Sequence, residues 1–120
     1  MLPPTLAGPS AGRSAVAGAA ARGGALIAVV GRDDLWLLNR GDRALYSHVE
    51  DRARLALADW YPCTDPARCP PIAPGAERAI RIGGSSGLAH GRDAVVYWWH
   101  AVATTEGTRA GAIRSLVVSL

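Results

Sequence analysis

The residues of this chain that could do chemistry fall into a few groupings. Cys63 and Cys69 stand six positions apart in the run Pro62-Cys63-Thr64-Asp65-Pro66-Ala67-Arg68-Cys69-Pro70-Pro71. Asp65-Pro66 favours a bend that brings the sulfurs together, so a local disulfide is the preferred reading. Closing so short a loop stabilises a fold by roughly 2–2.5 kcal/mol. Two free thiols are one alternative. A zinc half-site is the other, and it lacks the second cysteine pair that zinc usually takes. A disulfide implies an oxidising compartment.

Gly83-Gly84-Ser85-Ser86-Gly87 matches G-x-S-x-G, and Asp93 and His100 follow in the order Ser, Asp, His. A nucleophile elbow needs a strand, a sharp turn and a helix within a large parallel sheet. A chain of 120 residues has no room for that sheet. A flexible Gly/Ser loop is the expected reading, with no catalytic residue; a small hydrolase using Ser85 or Ser86, Asp93 and His100 is the remote alternative. His48, His90 and His100 show no His-x-His spacing, and Met1 is the only methionine available as a copper ligand. Neither metal nor cofactor is expected. Arg40-Gly41-Asp42 spells the integrin tripeptide, but Asn39, Gly41 and Asp42 are also what a tight turn wants.

Tyr97-Trp98-Trp99-His100 is the most informative grouping. Neighbouring side chains of a strand point to opposite faces, so Trp98 and Trp99 cannot fill one core. One face carries Val95, Tyr97 and Trp99; the other carries Val96, Trp98 and Val102. One tryptophan must therefore lie on the outer sheet face. There it either forms a stacking surface for a sugar or a partner protein, or is covered by Trp60, Tyr61 or an Arg stem. The residues expected to line such a binding surface are Trp60, Tyr97, Trp98, Trp99 and His100.

The elements that must position these residues read as β. Strands are expected over 25–30, 35–38, 44–50, 54–60, 77–82, 94–102 and 113–120, separated by turns at 31–34, 39–42 and 73–75 and a glycine-rich loop at 83–92. Short strands with turn signals between them are the pattern of an antiparallel sandwich. Residues 42–60 also read as a helix, with Leu45, Val49, Ala53, Ala56 and Trp60 on one face. Two strands are preferred there because the surroundings are β.

Composition limits the functional classes. All 13 basic residues are Arg, against 10 acids; Arg13 and Arg22 precede Gly24, which leaves 11 Arg against 10 acids in the rest. Arg and Asp alternate locally instead of gathering on one surface, so no nucleic-acid partner is expected. No apolar run approaches the ~20 residues of a membrane-spanning helix. Residues 1–24, rich in Ala, Gly and Pro, are expected to be a disordered arm or a degenerate export signal, and 25–120 the folded domain.

Asn39-Arg40-Gly41-Asp42 followed by Ala44-Leu45-Tyr46 resembles the strand-turn-strand opening of bacterial immunoglobulin-like sandwiches. Ile72-Ala73-Pro74-Gly75 before residues 77–82 resembles their turn ahead of a strand, and 94–99 with 113–120 is similar to their closing strand pair. The stretch Asp59-Trp60-Tyr61-Pro62-Cys63 through Cys69-Pro70 also resembles uncharacterised exported bacterial proteins of this kind. The resemblance implies an all-β, antiparallel immunoglobulin-like sandwich of about seven strands. It implies an exported, extracytoplasmic protein, periplasmic, secreted or at the cell surface; with the aromatic sheet face, the expectation is a non-enzymatic binding or structural module whose partner is another protein or a cell-surface glycan.

Overall fold

The computed structural model describes residues 20–120, and the larger part of the expected arm, residues 1–19, lies outside the described residues. The fold is all-β and antiparallel. One sheet has the order β1-β2-β3-β5, formed by Ala20–Gly23, Leu26–Val30, Asp34–Asn39 and Glu77–Arg81. The second has the order β4-β6-β9, from Tyr46–Asp51, Asp93–Trp99 and Arg114–Ser119. A separate hairpin, β7 (Ala101–Thr104) and β8 (Gly107–Ala110), projects between β6 and β9 in chain order.

Alternation along the strands decides the packing. Leu26, Ala28 and Val30 of β2 and Leu35 and Leu37 of β3 point inward and are buried; Val96 and Trp98 of β6 and Val118 of β9 meet them from the other sheet. A two-residue slot at Gly24 and Ala25 joins β1 to β2 in the register Gly23↔Leu26. Gly24 has φ +62, and a Cβ there would come within 3.0 Å of the Trp98 ring, so glycine serves both the turn and the core.

Four expectations are corrected. First, the ordered β structure begins before residue 25: Ala20–Gly23 pair with β2, because the backbone ladder and a tight glycine turn suffice where large side chains are lacking. Second, 54–60 is not a strand. Arg52–Leu57 form a 3-10 helix with no buried residue, and the chain then runs extended. Each reading of 42–60 therefore holds over part of it: strand over Tyr46–Asp51, and a helical turn over the Ala/Arg/Leu stretch, whose local propensity favours helix. Third, 94–102 is not one strand. It breaks at His100, and β7 leaves the second sheet to pair with β8, so the described residues form nine strands where about seven were expected. Fourth, Asn39-Arg40-Gly41-Asp42 is not a hairpin turn. It carries the chain from one sheet to the other, since β3 pairs with β2 and β5 while β4 pairs with β6.

That crossing is organised by the only asparagine in the sequence. Asn39 is fully buried; its amide donates to the carbonyls of Arg43 (2.8 Å) and Ile72 (2.9 Å) and accepts from the Gly41 N–H (2.9 Å). Its backbone also bonds Ala76 and Gly75. A Cβ at Gly41 would lie 2.8 Å from that of Ala25, so this loop packs tightly on the β1–β2 turn.

At the opposite end, Asp51 is 2% exposed and takes a bidentate ion pair from Arg92, both distances 2.8 Å. Hydrogen bonding from Arg92 holds the Asp51 carboxyl below the usual carboxylate range, with burial opposing, and raises Arg92 in turn. A carboxylate lowered in this way contributes stability above its unfolded value of about 3.9 that is lost as pH falls through its folded value. Arg92→Ala is therefore expected to lower the urea midpoint at neutral pH. The gap between wild type and variant should close below about pH 4, checked by urea titrations across pH.

Candidate functional site

Alternation along β6 places Trp98 and Trp99 on opposite faces, as expected from sequence. Trp98 faces the main core and is 3% exposed; its Nε1 has no hydrogen-bond partner among the described residues, and the Arg114 guanidinium lies 5.5 Å from its ring centroid. Val95, Tyr97 and Trp99 face outward, and the register sets Tyr46 beside Trp99, His48 beside Tyr97 and Glu50 beside Val95. The outer face of the second sheet is thus aromatic across two strands. Val102, expected on the Trp98 face, belongs instead to β7.

This face is not open. The segment 58–70 lies across it as a strap. Trp60 stacks on His48 at 4.5 Å and on Trp99 at 5.7 Å, and packs at a tilt against Tyr97 at 4.7 Å, between ring centroids. The Trp99 indole N–H donates to the Cys63 carbonyl (2.9 Å), and the Tyr46 hydroxyl donates to the Thr64 carbonyl (3.1 Å). Trp99 is left 2% exposed. The expected stacking surface is thereby corrected: Trp98 and Trp99 are interior, Tyr97 and Trp60 are half-buried, and His100 donates from Nδ1 to the Ala44 carbonyl (2.9 Å). The covering role that the sequence offered to Trp60 is the one it takes. Tyr61, the other candidate cover, is 87% exposed.

The strap is held by its own turn. Cys63 and Cys69 are joined as a disulfide with Cα atoms 6.4 Å apart. Asp65 closes the loop between them, its carbonyl accepting from the N–H groups of Arg68 and Cys69 and its carboxylate from that of Ala67. Arg78 of β5 reaches the Pro70 carbonyl and ties the end of the strap to the first sheet. A small concavity of about 150 Å³ remains beside it, bordered by Tyr46, His48, Tyr61, Cys63 and Arg78. Reduction of the disulfide is expected to lower stability by roughly 2–2.5 kcal/mol without unfolding the protein. Paired denaturant titrations with and without reductant check the figure.

The other groupings do not assemble. Asp93 and His100 sit at opposite ends of β6, about 20 Å apart at the rise of a strand. Ser85 and Ser86 lie in the β5–β6 connection, at the end away from His100. Asp93 is engaged by Arg52 (3.3 Å) and Ser119 (3.2 Å). The Ser-Asp-His arrangement is thus not formed. His48 donates to Glu50 and His90 to the Arg32 carbonyl, and among the described residues no three metal-ligating side chains gather. A larger concavity of about 520 Å³ at the Asp51 end is lined by Asp51, Arg52, Arg92 and Asp93, whose charges pair with one another.

What the structure leaves open is the far end of the sandwich. The loop 40–45, the turn 73–75 and the β7–β8 hairpin gather there. Asn39 joins the first two, while Arg43 donates to the Ala101 carbonyl (3.3 Å) and His100 to Ala44, joining the loop to the hairpin base. No hairpin residue is buried; all are exposed except Ala101 and Ala110, which are half-buried. Sequence reading missed this element because residues 94–102 are continuous in composition. The available signal was Thr104-Thr105-Glu106-Gly107, a turn between β-forming residues.

Among the described residues no helix is long and apolar enough to cross a membrane. No protein-family model, curated protein or solved structure matches the chain.

Proposed function

We propose that the chain is a non-enzymatic, extracytoplasmic binding module that meets a protein partner with its hairpin-bearing end. One observation carries this reading: among the described residues β7 and β8 pair only with each other and lend no residue to the buried core. A two-stranded hairpin is marginal in water by itself. One that stands clear of the core, beside two clustered loops, is positioned for contact with another molecule. The Cys63–Cys69 bridge supports an oxidising compartment.

The strand order adds support for an immunoglobulin-like reading. In that fold the chain alternates between sheets so that the second and fifth strands pair, as do the third and sixth. Here β3 pairs with β5 and β4 with β6, and the strap replaces the strand that would lie between β4 and β5. The loops between β3 and β4 and between β6 and β9 then fall at one end, the end such domains use for recognition. A glycan-binding aromatic face has less support, because the faces of Trp99 and Tyr97 are engaged by Trp60.

A photo-crosslinking residue at Thr108, compared in the producing cell with one at Ser85 on the opposite end, tests the reading. A discrete adduct from position 108, absent from position 85, is expected. Equal labelling from both positions, or none from 108, contradicts it.

A further inference from the structure

We propose that the partner is taken as an extended segment that adds to β8 as a third strand, with a carboxylate set against Arg109. This rests on the hairpin end being the interaction surface, and it names what that surface recognises.

The argument starts from the phase of the hairpin ladder. The Gly111 N–H donates to the His100 carbonyl (2.8 Å), and the register pairs Val102 with Arg109 and Thr104 with Gly107. Antiparallel rungs alternate between bonded and non-bonded pairs. The bonded rungs are therefore His100/Gly111, Val102/Arg109 and Thr104/Gly107. The backbone groups of Ala101 and Ala103 then point out from β7, and those of Thr108 and Ala110 point out from β8. On the β7 side, Arg43 already occupies the Ala101 carbonyl. On the β8 side, the N–H and C=O groups of Thr108 and Ala110 meet no partner among the described residues.

Natural edge strands are usually blunted by proline, lysine, a bulge or a covering element. β8, Gly107-Thr108-Arg109-Ala110, is short and carries the charge of Arg109, but it has no proline or lysine and no covering element among the described residues. Its composition of small and β-branched residues suits strand addition, in which main-chain bonds give affinity and side chains give selectivity. Arg109 is the only charge on the strand, is exposed and forms no ion pair among the described residues. An incoming strand with a carboxylate opposite Arg109 gains a cross-strand pair. A second copy of this chain, paired symmetrically about Arg109, would set arginine against arginine, which disfavours that occupant.

The test uses the whole chain, isotope-labelled, titrated at low salt with a short capped peptide that alternates Thr and Val around a central Glu. The matched control has a central Arg. Resonance shifts and slowed exchange are expected at Thr108 and Ala110, with the Glu peptide binding about three- to tenfold more tightly than the Arg peptide. Arg109→Glu should invert that preference. Thr108→Pro should abolish binding while the inner rungs stay formed, since the 108 N–H points outward. Shifts away from β8, or equal binding of the two peptides, overturn the proposal. Self-association of the chain alone, removed by Thr108→Pro, also overturns it in favour of a second copy, yet leaves the hairpin end as the interaction surface. Failure of crosslinking at position 108 would instead remove the underlying reading.

Discussion

Asn39→Asp is expected to destabilise the protein by roughly 3–5 kcal/mol at neutral pH, the range for a buried charge without a partner. The substitution is almost isosteric, so packing is not the cause. The Asn39 amide donates to the carbonyls of Arg43 and Ile72, and a carboxylate would face both with lone pairs. Only the bond accepted from the Gly41 N–H would survive. For a domain of this size the loss corresponds to a melting temperature lower by about 12–25 °C. The pH dependence identifies the cause. The introduced carboxyl would have its pKa raised in the folded state, so the deficit shrinks as pH falls and the group protonates into a donor. A deficit independent of pH would mean that Asn39 acts through shape alone. Thermal melts of wild type and variant across pH separate these outcomes.

Trp99→Ala is expected to cost about 3–5 kcal/mol, the usual range for deleting a buried aromatic. Trp99 lies outside the main core, yet it is closed in by Tyr46 at 6.4 Å, by Trp60 and by the Cys63 carbonyl. If the strap and this face form a second small core, Trp60→Ala and Trp99→Ala should be strongly coupled. The double variant should then lose about 1–3 kcal/mol less than the sum of the two single losses. Additive losses would mean that the strap rests on the sheet without being part of the fold. Trp99→Phe, which keeps the ring but removes the donor to Cys63, should cost about 1–2 kcal/mol.

Much of the fold was legible because period-two alternation is a local signal. Trp98 and Trp99 were set on opposite faces from chain order alone, while which of the two meets the main core was not. The disulfide was legible from turn chemistry between Cys63 and Cys69. The fate of the aromatic face was not. Whether Trp99 is a binding surface or core depends on where Trp60 returns, and Trp60 sits on a segment with no periodicity and four prolines near it. Asn39 read as a turn former because its side chain suits turns; its burial comes from Ile72, far along the chain. The hairpin was hidden because nothing in the side chains from Ala94 to Val102 marks the point where the backbone changes partners. These failures share a cause: the missing information lay in contacts between distant segments.

Residue-resolved hydrogen exchange tests the central claim, that the strap closes the aromatic face while the β8 edge stays open. The Trp99 indole N–H is expected to exchange slowly, protected by the Cys63 carbonyl beneath the strap. The Thr108 and Ala110 amides are expected to exchange at rates near those of an unstructured chain. A Trp99 indole that exchanges freely, with Thr108 and Ala110 protected, would contradict the claim.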